Sequence, residues 1–355
     1  MKIWDAIVIG AGIIGLSVAL ELRKRGMRVL VVEKGEPGRE ASWAAGGMLA
    51  DCPLEMPAAL CEFAAASARM YPEFVRELEE ESQLKIDLRA VGTLFFAAEG
   101  HRSMAGAYPL PSPVGELEPA LRVPAHAPVC LYLKERCVDP RGLLEAAEKA
   151  ARNRGVDFCV DQAAESVVLS GGQADGVYIT KKALRASTVV NCAGAWAGDI
   201  SPLGLPVRPV KGQMLSLAMP DKSEVRHVVR TPDVYLIPRS DGRLVIGATS
   251  EEAGFHKEIV PETIERQRRA AVAVMPALAA APVLETWAGL RPGTPDKLPI
   301  LGATSVPGYF VATGHFRDGI LLAPATARVI GQVVAGEQPE FDLTEFGAGR
   351  FSVPQ

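Results

Sequence analysis

"DAIVIGAGIIGLSVALELRKRGMRVLVVEK", residues 5–34, decides the fold. Its first six residues are a short apolar run, typical of a strand buried on both faces of a parallel sheet. Residues 11–26 follow with helical periodicity, a basic last turn and a final Gly26. A second apolar run at 28–34 predicts another strand. The stretch therefore predicts a strand–helix–strand unit.

The turn before this helix carries Gly10, Gly12 and Gly15 in the spacing G-x-G-x-x-G. Such glycines permit a tight turn and let a pyrophosphate approach the helix N-terminus. Glu33 closes the second strand 18 residues after Gly15, where an acid accepts hydrogen bonds from a ribose. Because all these features fall at the required offsets, we expect dinucleotide binding rather than an incidental glycine-rich turn.

Composition narrows the class of protein. The chain has 355 residues, 48% of them hydrophobic, and its net charge of −4 comes from 38 basic and 42 acidic residues. This predicts a globular protein and argues against nucleic acid as a partner. No apolar run approaches the roughly 18 residues of a membrane span, and the N-terminus is interpreted as a strand rather than a signal peptide. Six cysteines without a C-x-x-C pair predict reduced thiols in a cytoplasmic protein.

The rest of the chain alternates between helical and strand-like patterns. Residues 39–51 are rich in small residues, which suit a flavin extending across the sheet edge; the alternative is an ordinary flexible loop. Residues 54–85 predict a helix broken near Tyr71 and Pro72. Asp139 and Pro140 begin a helix over 139–155, and residues 187–199 predict a strand that ends in small residues and again meets a cofactor.

The second half predicts antiparallel strands over 206–285, with a hairpin at Ser240 to Gly242 and an outer helix at 261–275. Residues 308–336 predict a buried strand, a sharp turn and a long helix.

One arginine stands out in "WAGLRPGTPDKLPILG", residues 287–302, a stretch that we interpret as tight and rich in turns. Arg291 lies between Leu290 and Pro292, where partial burial is expected. A guanidinium is costly to desolvate without an anion. It either pairs with a carboxylate of the protein or receives one from a ligand, and these residues alone leave both possibilities open.

Four segments in order resemble the D-amino acid oxidase superfamily of flavoproteins, and within it the bacterial glycine oxidases. They are "VIGAGIIG", "AAGGML", "VYLIPRSDGRLVIGAT", and "WAGLRPGTPDKLPILG" followed by "GHFRDGILLAPAT". The resemblance covers nearly the whole chain. It implies FAD, a small amine or amino acid substrate, molecular oxygen as electron acceptor, and a homo-oligomer. Because no cysteine follows Cys192, we expect the flavin to be held non-covalently, with His315 as the only nearby alternative for a covalent link.

The resemblance also implies an architecture. We expect an α/β protein with a Rossmann-type FAD-binding domain over 1–85, 139–205 and 286–345. An interleaved antiparallel-sheet substrate domain is expected over 86–138 and 206–285. No metal site is expected.

The resemblance assigns roles to three catalytic residues. Arg291 matches the arginine that binds the substrate carboxylate, Tyr235 matches its assisting tyrosine, and Arg317 matches a second active-site arginine. The alternative for Tyr235 is a half-buried strand aromatic. His315 is interpreted as a turn residue beside the flavin, with a general-base role as the alternative.

A larger set is expected to line the cofactor site. It comprises the glycine turn, the ribose acid, the end of the strand predicted at 187–199 and the residues that match the family's flavin contacts: Gly10, Gly12, Ile13, Ile14, Gly15, Glu33, Lys34, Ser42, Ala45, Gly46, Met48, Ala164, Gly194, Trp196, His315, Arg317, Asp318, Gly319, Ile320 and Leu321.

Two positions depart from the pattern of the glycine oxidases. Asp233 stands where a histidine is common, and Ser250 stands where a methionine is expected. With Met48, they are the candidate substrate-pocket residues. Asp233 either accepts a hydrogen bond from the substrate nitrogen or belongs to a solvated turn. Glycine, sarcosine and small D-amino acids are the candidate substrates, with thiamine biosynthesis as a possible role. The alternatives are a dehydrogenase that reduces a quinone or a protein, and a non-catalytic flavin-binding subunit.

Overall fold

The computed structural model describes residues 4–51, 56–98, 106–180, 182–219 and 225–351. Its first layer is a six-stranded sheet, in the order β19 (Ile300–Ala303), β20 (Tyr309–Thr313), β13 (Thr188–Asn191), β1 (Ala6–Ile9), β2 (Val29–Val32) and β9 (Asp157–Cys159). All neighbours are parallel except β19 and β20. Every residue of β1 and β2 is buried, as their continuous apolar runs predicted.

Four helices share one core cluster with this sheet. They are α1 (Ile13–Lys24), α2 (Ala58–Ser82), α4 (Pro140–Asn153) and α6 (Gly319–Val334). The predicted start of α4 is confirmed, because the Asp139 side chain accepts a hydrogen bond from the Arg141 amide at 3.1 Å and Pro140 occupies the first turn. The strand–helix–strand unit of residues 5–34 is confirmed as well.

The predicted break near Tyr71 and Pro72 is wrong, since α2 runs continuously through both residues. Proline removes the amide that would donate to the carbonyl four residues earlier. Here that carbonyl belongs to Ala68, and Arg136 Nη1 lies 3.5 Å from its oxygen. The Tyr71 hydroxyl donates to the Ile320 carbonyl of α6 at 2.5 Å. Tertiary contacts therefore hold the helix together where its own hydrogen bond is missing.

The second large sheet has eight strands. Their order is β18 (Val283–Gly293), β14 (Arg208–Ala218), β17 (Arg243–Gly247), β16 (Tyr235–Pro238), β15 (Val228–Arg230), β5 (Thr93–Ala97), β7 (Val129–Leu133) and β6 (Ala107–Tyr108). Neighbours are antiparallel apart from β15 and β5. The predicted hairpin is confirmed as β16 and β17, and the outer helix as α5 (Pro261–Val274).

The interpretation of residues 287–302 as rich in turns was wrong for its first half. Residues up to Gly293 belong to β18, which pairs with β14 along its length, and turns begin only after it. Arg291 therefore projects from a strand held in register, not from a loop. The predicted domain division at 285/286 falls within this strand, and the division stays a prediction.

The remaining elements are small. One three-stranded sheet contains β3 (Met48–Leu49), β8 (Arg136–Val138) and β4 (Leu88–Arg89), and another contains β10 (Ala164–Ser170), β11 (Gln173–Ile179) and β12 (Lys182–Leu184). A short helix, α3, spans Val114–Leu117. The predicted strand at 187–199 is β13 followed by a 3₁₀ turn at Gly194–Asp199. Among the described residues, no helix is long and apolar enough to cross a membrane.

Candidate active site

A cavity of about 820 Å³ is lined by residues of both large sheets and of the loops beside them. One end lies at Gly10, Gly12 and Glu33, where β1 gives way to α1 and β2 ends. The other end lies at Tyr235 and Arg291, on the eight-stranded sheet. Ligands of open parallel sheets bind outside the carboxyl ends of the strands, and this cavity begins there.

The glycine turn is sterically required. Gly10 has φ +98°, and a Cβ at this position would lie 2.5 Å from the Cys192 carbonyl oxygen. A Cβ at Gly15 would lie 1.9 Å from the Gly10 carbonyl oxygen, so this glycine allows the helix to pack under the turn. Gly15 itself is absent from the cavity wall. Gly15 therefore serves helix packing, and its place among the cofactor-binding residues stays a prediction.

Two side chains from outside the turn fix its amides. The Ala11 amide donates to Glu33 Oε2 at 2.7 Å, and the Ile13 amide donates to Ser42 Oγ at 3.1 Å. The Gly35 amide donates to Glu33 Oε1 at 3.1 Å. Each carboxylate oxygen of Glu33 accepts one backbone amide and retains acceptor capacity for a ribose hydroxyl.

Aromatic and basic residues lie beside Glu33. The Lys34 Nζ stands 3.0 Å from the centroid of the Trp196 ring, and Trp196 stacks on Phe255 with centroids 5.3 Å apart. Lys34 also pairs with Glu40 at 3.2 Å. Lys34 and Trp196 both line the cavity, as predicted from the sequence.

Arg291 lies at the other end of the cavity, with its guanidinium over Gly212. Its Nη1 donates to the Thr249 carbonyl at 2.9 Å and lies 3.5 Å from the Lys211 carbonyl. Among the described residues no carboxylate forms an ion pair with it. Glu251, whose charge reaches Arg291, is engaged by Gln213 Nε2 at 2.8 Å and by Lys211 at 3.7 Å.

Burial lowers the pKa of Arg291, and the neighbouring charge of Arg317 lowers it further. A ligand carboxylate would raise the pKa of Arg291 against both effects. It would also supply the two acceptors that a guanidinium fork matches. The alternative of a structural ion pair has no partner within the described part of the chain.

Tyr235 stands between the sheet and the cavity. A Cβ at Gly247 would lie 2.7 Å from its hydroxyl oxygen, so the phenol is packed closely against the neighbouring strand. The hydroxyl lies 3.8 Å from Met214 Sδ, a weak acceptor. Burial raises the pKa of Tyr235, with the charge of Arg291 opposing the rise. The group is therefore a neutral donor available to a ligand.

The turn before α6 closes the cavity beneath these residues. Gly314 has φ +75° and Phe316 has φ +48°, and the Phe316 amide donates to the Pro292 carbonyl at 2.9 Å. Burial lowers the pKa of His315 to about 3, and its Nε2 lies 3.1 Å from Thr326 Oγ1. An imidazole of such low basicity, engaged inside the fold, favours the role of a turn residue over that of a general base.

Arg317 and Asp318 follow on the same turn and line the cavity. Arg317 is exposed. Burial raises the pKa of Asp318 to about 6, against the charges of Arg317 and Arg230. The first amides of α6 come directly after these two residues.

Apart from Gly15, one predicted cofactor residue lies outside the cavity wall. Leu321 is 1% exposed and belongs to the core beneath the sheet, and its carbonyl accepts a hydrogen bond from Ser67 at 2.7 Å. Each helical residue rotates the side chain by about 100°, which turns Leu321 away from the cavity that Ile320 lines. The other predicted site residues all line the cavity.

The candidate substrate-pocket residues differ in setting. Met48 lines the cavity from β3. Asp233 and Ser250 are exposed at its wall, and Asp233 Oδ2 pairs with His126 Nε2 at 2.9 Å. This pairing favours the solvated-turn interpretation of Asp233.

Comparison with known proteins assigns the chain to a protein family. Residues 5–333 match the DAO family of FAD-dependent oxidoreductases. The chain belongs to this family. It is 33% identical to the glycine oxidase of Pseudomonas aeruginosa, over 97% of this chain and 98% of that protein. It is also 33% identical to the bifunctional protein ThiO/ThiG of Trichormus variabilis, where the match covers 98% of this chain and 55% of the relative, about half its length.

A solved structure agrees. Glycine oxidase from Geobacillus kaustophilus matches with a TM-score of 0.90 at 29% identity, covering 99% of this chain and all of the other. The mixed α/β fold with a Rossmann-type FAD unit is therefore confirmed, and so is the resemblance to the glycine oxidases.

FAD is the cofactor of this oxidoreductase, and the site fits it. The glycine turn leaves room above α1 for a pyrophosphate, the Glu33 carboxylate would accept a ribose hydroxyl, and the cavity volume of about 820 Å³ is in the range of cofactor sites. Among the described residues no cluster of His, Cys, Asp and Glu could hold a metal ion.

Several charged residues that were not predicted also line the cavity, and Arg230 is the one beside Tyr235. Arg230 ends β15 and lines the cavity next to Tyr235. The sequence shows only an arginine that ends the short apolar run "VVR", which is too common a pattern to single out a site residue.

Proposed function

We propose that this oxidoreductase oxidises the carbon–nitrogen bond of a small amino acid, with glycine, sarcosine and small D-amino acids as candidates. The observation that carries the proposal is Arg291. It faces the cavity, makes hydrogen bonds only to carbonyls, and has no carboxylate partner among the described residues. The carboxylate of an amino acid supplies the missing anion.

The residues around Arg291 would orient that substrate. The fork binds a carboxylate through two parallel hydrogen bonds, which fixes its rotation, and the Tyr235 hydroxyl adds another donor. Bound FAD supplies the acceptor for the two electrons of the Cα–H bond. The amides at the start of α6, beyond Asp318, direct the positive end of a helix of 16 residues at the cavity.

No strong base is needed if the substrate binds as a neutral amine. His315 is a poor base because burial lowers its pKa to about 3. It remains a spacer that holds the turn against Thr326.

We further propose that oxygen is the electron acceptor, giving an imine that hydrolyses and hydrogen peroxide. The similarity to the Pseudomonas aeruginosa glycine oxidase supports this choice. The similarity to ThiO/ThiG supports a role in thiamine biosynthesis. A cytoplasmic homo-oligomer is the proposed setting.

The test is an anaerobic screen of small amines that follows bleaching of the flavin absorbance. Glycine, sarcosine and D-alanine should bleach it, and admission of air should restore it within the turnover time. Bleaching without reoxidation by oxygen would indicate a dehydrogenase that uses a quinone or a protein acceptor. A flavin that no amine reduces would overturn the proposal in favour of a non-catalytic flavin-binding subunit.

A further inference from the structure

We propose that Arg230 forms a second anion subsite, so that the preferred substrate is an amino acid with two carboxylates, as in an iminodicarboxylate or an amino dicarboxylate. This rests on the proposed function, because it names the substrate class of the same site. No sequence motif pointed to Arg230, and its role follows from its position on the sheet.

Arg230 is the direct cross-strand partner of Tyr235. The antiparallel register of β15 and β16 sets these two residues opposite each other. Opposed residues of such a pair present their side chains to the same face, with Cβ atoms about 5 Å apart. Both residues line the cavity. The guanidinium of Arg230 also lies 5.2 Å from the centroid of Phe95, its neighbour on β5.

The two arginines stand on opposite sides of Tyr235. Arg291 extends over Gly212 of β14, and the sheet order from there is β14, β17, β16, β15. Strands are about 4.8 Å apart, so the backbones of β14 and β15 are separated by roughly 14 Å. A small molecule lying over β17 and β16 would present one carboxylate to each arginine and its nitrogen between them.

One guanidinium nitrogen of Arg230 has unused donors. Its Nη1 is buried without a hydrogen-bond acceptor among the described residues. Its nearest anion is Glu135 Oε1, 3.6 Å from Nη1, an ion-pair distance longer than a hydrogen bond. Glu135 Oε2 is also buried without a partner. Buried charged groups left in this state are unfavourable, and a ligand carboxylate would satisfy the arginine.

The charges around Arg230 allow an anion to bind. Burial raises the pKa of Glu135 although the charge of Arg230 and a hydrogen bond from Thr93 oppose the rise, so the carboxylate of this pair is less stable than that of an ordinary glutamate. Asp318 is a second acid that interacts with Arg230. Burial raises the pKa of Asp318 to about 6, against the charges of Arg317 and Arg230. Asp233 is occupied by His126 at the surface. The charges of Arg291 and Arg230 both lower the pKa of Tyr235, so the two guanidiniums act on the same point of the cavity.

The test uses matched substrates and the FAD-loaded enzyme. Iminodiacetate is sarcosine with one added carboxylate, so the ratio of their kcat/KM values reports the second subsite. Iminodiacetate should be preferred by the native enzyme. Arg230→Met should lower the ratio about 10-fold to 100-fold, the loss expected for a charge-assisted hydrogen-bonded pair. Glu135→Gln removes the competing anion with its shape retained and should raise the ratio.

Arg208→Met is the matched control. Arg208 lies on β14, pairs with Glu252 in solvent, and is not part of the cavity wall. Its substitution should leave the ratio unchanged. If Arg230→Met is unstable, Arg230→Lys keeps the charge without the fork and should give an intermediate ratio.

Equal loss of activity on both substrates in Arg230→Met would overturn the subsite, as would a native preference for sarcosine. Binding is tested apart from turnover by titrating the flavin spectrum with glutarate and with butyrate, which differ by one carboxylate. Glutarate should bind more tightly, and Arg230→Met should remove the difference. Equal binding would contradict the subsite. Absence of amine oxidation with intact glutarate selectivity would instead reject the proposed reaction and leave the subsite supported.

Discussion

The guanidinium of Arg291 lies directly over the Cα of Gly212. A Cβ at Gly212 would stand 2.4 Å from Nη2 and 2.6 Å from Nη1 of Arg291, closer than real side-chain contacts come. The two residues are on neighbouring strands, β18 and β14. The missing side chain at Gly212 is therefore what allows the arginine to reach across β14 to the Thr249 carbonyl.

Gly212→Ala should consequently displace the guanidinium while retaining its charge. We expect the KM for an amino acid substrate to rise about 10-fold or more, corresponding to about 1.4 kcal/mol, since a shifted fork no longer meets the carboxylate. FAD affinity should change little. Gly142→Ala is the control, because a Cβ there meets nothing within 4 Å. An unaltered KM in Gly212→Ala would show that Arg291 is not held by this contact.

Glu33→Ala should weaken FAD binding. The substitution removes the ribose acceptor and also the partner of the Ala11 amide, which fixes the glycine turn. We expect a loss on the order of 1–3 kcal/mol, measured as the dissociation constant of FAD by fluorescence quenching. Turnover at saturating FAD should be almost unaffected. Unchanged FAD affinity would refute the assignment of Glu33 to the ribose.

The flavin should be released completely by acid precipitation. Cys192, a cavity residue, is a poor nucleophile because burial raises the pKa of its thiol. His315 has its Nε2 beside Thr326. Yellow colour that stays in the washed pellet would demonstrate a covalent link and exclude this prediction.

Asp318→Asn should stabilise the protein at neutral and higher pH. Burial raises the folded-state pKa of Asp318 to about 6 from 3.8, so the folded protein binds more protons than the unfolded chain between these values. The penalty for its ionisation is absent below about pH 4, develops as the pH rises to 6, and is complete above. Replacement should therefore raise the melting temperature at pH 8, by an amount equivalent to on the order of 3 kcal/mol, and should have little effect near pH 4.

Asp241→Asn is a control variant whose stability at pH 8 should change in the opposite direction. Burial would raise the pKa of Asp241, but hydrogen bonds from Arg243 hold it below its ordinary value. This variant should be less stable than the native protein at pH 8. A melting temperature of Asp318→Asn that differs from native by the same amount at pH 4 and pH 8 would contradict the assigned titration.

The sequence predicted the elements whose signals are local. The glycine turn with Glu33, the start of α4 at Asp139 and the hairpin at Ser240 each depend on residues close together in the chain, and all three were found. The contacts around Pro72 in α2 come from Arg136 and Ile320, which lie far along the chain, so the continuity of this helix could not be predicted from helix periodicity.

The residues of the candidate site also fall into two groups, those with a local sequence signal and those placed only by the fold. Arg291 was recognised because a motif surrounds it, whereas Arg230 ends a three-residue strand with no motif. Its pairing with Tyr235 is set by the register of the sheet, which the sequence does not display. The side chain of Leu321 belongs to the core cluster, while Ile320 beside it lines the cavity, so the continuous segment given by the family pattern mixes two surroundings, and cofactor contact by Leu321 stays a prediction.

The central claim is that Arg291 receives the substrate carboxylate, and Arg291→Lys tests it most directly. The measurement compares the KM for D-alanine with that for ethylamine, which lacks the carboxylate, together with the melting temperature. Lysine keeps the charge but loses the fork. We predict a KM for D-alanine raised about 10-fold to 100-fold, a far smaller change for ethylamine, and a melting temperature within about 2 °C of native, because no described carboxylate loses a partner. Equal impairment of both substrates, with a marked fall in melting temperature, would contradict the account and identify Arg291 as a structural residue.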